Sequence, residues 1–555
     1  MIYIILAWFL WFLFCFNLGF FVLRKLFGKK QRKIDFFYNF WFGLFLLIVV
    51  LQFISLFYPI NDRVLICLSA INLLLLVLNL RNAKPNPRLL IKKLLQRTNI
   101  LKVLLFAFIA LLISLLSNLP VNWYDSLLYH LNSVKWLADY GTVRGLANIH
   151  FPLAYNNSTF ILAAIMDSGP FTNSSSHIMN SFLLIVFSFQ ILLFLFKKRK
   201  NNLTYIFGFF SLLILSTFAY QINSLSTDLS LAVFFLLFNF YVITFENKDL
   251  ALPIPILILA AASKFSSFVV LGLFSIFVLI QLKDKILEKK NIYILLFSVL
   301  FFVGFIARNL IMSGWAFYPL KLFGFHFPWQ VPSEQIRVIN DGLKAWSRLP
   351  GERYMSSLNV DFQGWFVPWF ANNKANPLML YSFLVIPLVF IYFISRNRIK
   401  KRLITFGGIS KIDFLVFANV ATLVYSFITA PDFRYMGTYI LVAVSLVLSA
   451  IFMGVVKLKP VNYLIVLIFI YLISSNWSEK INYGGKKINV QKEESSLVQS
   501  VNVKYKDQSF DVLVPMEDDR CGNSELPCVP YPSGFKMFET GNIKAGFYPT
   551  KNLSE

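Results

Sequence analysis

Charge is what this chain lacks. Of its 555 residues only 14 % are Asp, Glu, Lys or Arg, while 57 % are hydrophobic and 62 are Phe. A soluble domain of this length needs far more charge to cover its surface, so a soluble enzyme or free binding module is excluded. Cysteine and histidine are scarce as well, at four each, and the histidines are scattered, which leaves no zinc pattern. No internal repeat is strong enough to suggest inverted transporter halves. The first apolar run, IYIILAWFLWFLFCFNLGFFVL, has no basic n-region and is too long for a signal-peptide core. It is expected to remain as a helix.

What the chain does have is a succession of uncharged apolar runs, each long enough to cross ~30 Å of hydrocarbon as a helix. The expected fold is an all-α polytopic membrane protein with about 12–14 transmembrane helices. Spans after the first fall near 36–59, 64–80, 100–118, 177–196, 202–219, 228–245, 292–310, 376–395, 411–430, 435–456 and 460–475. Residues 252–280 hold one hairpin or two short spans, with Lys264 at the bend.

The 52 basic residues outnumber the 27 acidic ones, but their placement argues against nucleic acid as a partner. They cluster at 24–33, 81–102, 197–200, 283–290 and 396–411, between apolar runs. Such clusters mark cytoplasmic loops and contact with anionic membrane lipids. Alternation then places both termini and three segments outside: 119–176, 311–375 and the tail 476–555. The chain divides into a transmembrane domain, 1–475, and a small extracytoplasmic C-terminal domain. The middle segment, rich in Trp, reads as an ordered loop at the membrane surface. In the tail, SFDVLVPM alternates like a strand, which suggests a small β-containing appendage. Cys521 and Cys528 are either a small disulfide loop, if the tail is extracytoplasmic, or two reduced thiols.

The segment NWYDSLLYHLNSVKWLADYG emerges directly from an apolar run. Asn122 can cap a helix there, Leu127, Leu128, Leu131, Val134 and Leu137 give it an apolar face, and it is expected to lie on the bilayer surface. Asp125, Tyr129 and Asn132 share another face. Asp125 serves either as a carboxylate complementing a helix N-terminus or as a general base. Nearby stand His130, Arg144, His150 and Tyr155. Asp228 opens a span in LSTDLSLAVF, and Lys264 interrupts AAASKFSS. Arg434 follows a proline in TAPDFRYMGTY. Lys264, Arg308 and Arg434 fall at one membrane boundary, where they either neutralise a phosphate or snorkel to headgroups.

A two-helix unit with a leading Asp in the first large outer loop, together with these three motifs, resembles the GT-C superfamily of glycosyltransferases. The stretches YDSLLYHLNSVKWLADYG, ANIHFPLAYNNS and PCVPYPSGFK are similar to an uncharacterised family of GT-C-like bacterial membrane proteins. The resemblance implies transfer of a sugar from a polyprenyl-phosphate donor to a glycan, lipid or protein outside the cytoplasmic membrane. It casts Asp125 as the general base, with Tyr129, His130, Arg144, His150, Asp228, Lys264 and Arg434 binding substrate. There is no Asp-x-Asp pair, so a divalent metal is in doubt and no cofactor is expected. Two alternatives stand beside it. A transporter of lipid-linked glycans should carry ionisable residues in mid-span, and these spans are nearly free of them. A polysaccharide polymerase or ligase commonly uses arginines of a large loop, here Arg337, Arg348 and Arg353.

Overall fold

The computed structural model describes residues 2–28, 35–83, 97–121, 123–196, 202–283, 285–351, 354–400, 405–406, 409–452, 462–475, 497–505, 508–532 and 534–550. Asn122, Arg353, the opening of the tail and all the basic residues at 29–33, 84–96 and 197–200 lie outside the described residues.

A chain in hydrocarbon must satisfy its own backbone polar groups, and long apolar runs do so as helices. Among the described residues ten helices are long and apolar enough to span a membrane. The protein is an integral, mainly α-helical membrane protein. Four shorter apolar helices, Asn202–Thr217, Ile254–Ser263, Ser267–Gln281 and Ile465–Ser474, accompany them. Only with these included is the expected count of twelve to fourteen reached.

Burial sorts the helices. The windows in Phe36–Phe57, Ser175–Leu195, Thr227–Thr244 and Phe433–Phe452 are 72 to 89 % buried, so these form the centre of the bundle. Asp62–Arg81 and Pro377–Ile394, at 22 and 17 %, present apolar side chains outward to lipid. Ile2–Phe27 and Phe36–Phe57 cross at two glycines. A side chain at Gly19 would strike the Asn39 carbonyl, and one at Gly43 the Cys15 carbonyl. Small residues of this kind let membrane helices approach backbone to backbone.

Residues 254–281 form the expected hairpin. Ile254–Ser263 runs in, Lys264 leaves the helix with φ −147° and ψ 130°, and Ser267–Gln281 returns. The far ends lie together, because Lys290 bonds Asp249 at 2.5 Å and Phe277 stacks on Phe414 at 4.3 Å. The bend therefore reaches the opposite end of the bundle.

At that end three segments share a second hydrophobic core. Trp136, Leu146 and Leu153 come from 119–176, Trp315 and Val331 from 311–375, and Phe510, Val529 and Phe547 from the tail. The tail contains an antiparallel pair, Val498–Tyr505 with Gln508–Pro515, and a shorter one, Phe535–Met537 with Phe547–Pro549. Cys521 and Cys528 form a disulfide between them. The tail is thus part of a cap rather than a free appendage. Its docking also changes the expected position of the first loop helix. The segment is a π-helical turn, Ser126–His130, leading into Leu131–Asp139, and it is buried between bundle and tail instead of lying on a lipid surface. The Gly522 N–H donates to the Leu127 carbonyl at 2.7 Å, and Ile60 N–H to that of Leu137 at 2.9 Å.

Candidate functional site

Four chain segments meet where the cap joins the bundle. The first carries Asp125, just before the π-helical turn, held by the Ser126 and Leu127 N–H groups folding back on the Trp123 carbonyl. The second is the start of Thr227–Thr244. There Ser226 caps the helix and Asp228 stands in its first turn, where a carboxylate suits the helix dipole. The third is the hairpin bend with Lys264. The fourth is the start of Phe433–Phe452, with Arg434 and Tyr435.

The charges of these segments form one continuous set. Arg434 Nη1 donates to Asp125 Oδ2 at 3.3 Å and its Nε to Asp432 Oδ2 at 3.2 Å. The Arg434 backbone N–H bonds Asp432 Oδ1 at 2.8 Å, which fixes the arginine at the mouth of its helix. Lys264 pairs with Asp228, donates to the Arg434 carbonyl at 2.7 Å, and lies 4.6 Å from the centre of the Tyr435 ring. Gln221 Nε2, at 3.2 Å, and Ser226 Oγ, at 3.4 Å, donate to the second oxygen of Asp228. The two pairs differ in access. The Lys264 and Asp228 side chains are 11 and 9 % exposed, those of Arg434 and Asp125 36 and 31 %. Asp125 is the carboxylate that an entering molecule can reach.

Tyr129 packs one turn on, its ring 4.4 Å from that of His130 and 5.9 Å from that of Tyr155. Burial first, and the negative charge of Asp125 second, keep its phenol protonated far above the usual range. Burial also raises Asp125 itself, against the lowering influence of Arg434. His130 bonds Ser126 Oγ through Nδ1 at 3.0 Å, and burial lowers it to about 3, outweighing the nearby Asp228 charge. It is a neutral packing and hydrogen-bonding residue at neutral pH.

The structure thus brings Asp125, Tyr129, His130, Asp228, Lys264 and Arg434 together, and sets Arg144 and His150 apart. Arg144 lies over the Trp329 ring at 5.8 Å, and its carbonyl accepts the Phe547 N–H at 3.0 Å, so it serves the junction with the tail. His150 is buried beside Phe151 and lowered to about 4 by burial alone. Arg308, placed at a headgroup boundary by the sequence, does not snorkel: it is 2 % exposed. Arg337 pairs with the exposed Glu334, and Arg348 lies 4.5 Å from the Trp365 ring, so neither joins this site.

The sequence reading missed Asp432, Tyr435 and Gln221. Asp432 and Tyr435 sit in the same PDFRY stretch that singled out Arg434, and a carboxylate two residues before an arginine is a usable signal for a fixed guanidinium. Gln221 lies in an ordinary turn and carries no signal. Among the described residues no three His, Cys, Asp or Glu side chains gather as a metal site requires. No curated protein and no solved structure matches the chain significantly. Residues 1–441, which include every charged member of this site, match the family model described as Domain of unknown function (DUF8201), and the chain belongs to that family.

Proposed function

We propose that this protein is a membrane glycosyltransferase of the GT-C type. It moves a sugar from a polyprenyl-phosphate-linked donor to a hydroxyl of a glycan, lipid or protein on the extracytoplasmic side of a bacterial cytoplasmic membrane. The observation that carries the reading is the partly open Asp125–Arg434 pair at the mouth of an apolar bundle, backed by the buried Lys264–Asp228 pair.

The chemistry needs two things. The anomeric carbon of the donor is already activated, so the acceptor hydroxyl must lose a proton as it attacks. Asp125 takes that proton. The bond from the anomeric carbon to the phosphate oxygen breaks, its electron pair leaves with the polyprenyl phosphate, and the configuration inverts. Arg434 and Lys264 neutralise the departing phosphate where water is scarce. Asp432 and Asp228 hold these two cations in place, and Tyr129 orients the acceptor beside Asp125.

The test compares lipid-linked sugars and envelope glycans by mass spectrometry in cells carrying the wild type, Asp125→Asn or no copy of the gene. The expected result is a glycosylated polyprenyl lipid that accumulates, and a glycan modification that disappears, in both deficient strains. With the purified protein and that lipid, Asp125→Asn lowers turnover by ~10²–10⁴. Identical lipid and glycan profiles in all three strains overturn the reading.

A further inference from the structure

Arg308 lies on the helix Lys289–Ser313, close to its cap end, and is buried with its Nε and Nη1 reaching no acceptor among the described residues. An unpaired charge in such a place is strongly disfavoured. Three more residues that line the same cavity carry orphan groups: Ser133 its Oγ, Trp136 its Nε1 and Tyr155 its hydroxyl. Ser133 and Trp136 are 4 and 1 % exposed. The cavity is small, about 10 Å³, room at its end for a single ion, carboxylate oxygen or water.

The chemistry of the lining is one-sided. A guanidinium and an indole N–H can only donate, and the two hydroxyls are free to donate. The one amide oxygen on the wall, Asn157 Oδ1, already accepts from the backbone and hydroxyl of Thr159 at 2.8 and 2.7 Å. The remaining lining is largely apolar, with Phe160 and Met312 among it. No carboxylate stands within ion-pair distance of Arg308 among the described residues. We propose that Arg308, Trp136, Ser133 and Tyr155 form a binding site for one small monovalent anion, either free halide or the carboxylate of a bound molecule. One guanidinium balances one negative charge, which favours a monovalent anion over a phosphate dianion.

The site is separate from the Asp125 centre but adjoins it. Asn157 donates to the Ser263 carbonyl, next to Lys264, at 3.0 Å, and Tyr155 packs on Tyr129. The anion therefore clamps the 119–176 segment to Lys289–Ser313 directly behind the tyrosines, whether or not the chain is a glycosyltransferase.

Thermal unfolding of the full chain in detergent tests this at constant ionic strength, with chloride, bromide or acetate replacing a bulky sulfonate. Stability is expected to rise with anion concentration and then follow the logarithmic dependence of a bound ligand. A response to the halides alone identifies free halide; a response to acetate identifies a carboxylate. Trp136→Phe and Ser133→Ala, each lacking one donor, should need several-fold more anion, and Arg308→Met should not respond. Because Arg308→Met can fail to fold, the two donor variants suffice. A flat wild-type response, as a buried water alone would give, or one unchanged in the donor variants, overturns the proposal.

Discussion

Asp125 sits under opposing influences, and their balance gives a sign that can be measured. Burial raises its pKa most; Arg434 opposes this, Asp228 raises it, Lys264 lowers it and Asp432 raises it, with a net upward shift. As a base Asp125 must be ionised, so the rate should fall as pH drops through this raised value. Arg434→Gln removes the largest lowering influence and should move the acid limb of the pH–rate profile to higher pH, besides weakening donor binding. Asp432→Asn should move the limb the other way. Limbs that stay put in both variants exclude Asp125 as the titrating base. Stability follows the linked sign. A carboxyl raised in the folded state supports folding below its ordinary value of 3.8, and that support is lost as pH rises through the raised pKa. Asp125→Asn, which cannot ionise, is therefore expected to melt no lower than the wild type at neutral pH while losing turnover. A large loss of thermal stability would instead mark Asp125 as a structural residue.

At the scale of elements, the hairpin bend and the glycine crossing do different work. Ile254–Ser263 stops because Lys264 turns out of the helix to meet Asp228 and the Arg434 carbonyl, which brings the cation to the mouth of the bundle. Lys264→Met should weaken binding of a polyprenyl phosphate, at some cost in stability because the buried Asp228 loses its cation, and Lys264→Arg should retain part of it. Unchanged lipid binding in a well-folded Met variant would reduce the lysine to a partner of Asp228. At the crossing of the first two helices, Gly43→Val should lower the yield of monodisperse protein in size-exclusion chromatography, because backbone atoms rather than flexible side chains stand in the way. Gly342, half-buried but with open space where a side chain would go, is the control. The apolar runs and the lysine at the bend were legible in the sequence, because hydrocarbon permits few solutions for a backbone. The burial within the 126–137 segment was not. An amphipathic helix looks the same whether its apolar face meets lipid or protein, and the covering tail lies nearly four hundred residues away. The convergence of Asp125, Asp228, Lys264 and Arg434 could be anticipated because each sits at the same end of its span. Arg144 and His150 were misplaced because their loop turns away, at the left-handed Gly145, toward the tail.

For the molecule as a whole, sidedness ties these readings together. The tail grips the very segment that carries Asp125: Tyr124 bonds Asp519, Gly522 bonds Leu127, and Lys135 donates to the Ser524 carbonyl at 3.0 Å. Tail and candidate site therefore share one side of the membrane, and finding either fixes both. At the opposite end lie Lys248, Lys290 and Lys411, the last bonded to the Phe245 carbonyl, the kind of basic cluster retained in the cytoplasm. Two single cysteines can read this arrangement, because the native thiols interfere little. Cys15 is buried, Cys521 and Cys528 are joined, and Cys67 can be replaced by serine. Met516, in the tail, and Leu287, at the basic end, are 60 and 80 % exposed. In intact cells a membrane-impermeant maleimide should label Met516→Cys, and should label Leu287→Cys only after lysis. The reverse pattern would put Asp125 and the disulfide in the cytoplasm. An extracytoplasmic acceptor could then not reach the carboxylate, and the proposed transfer would fail on geometry alone, whatever the rates of the Asp125 variants.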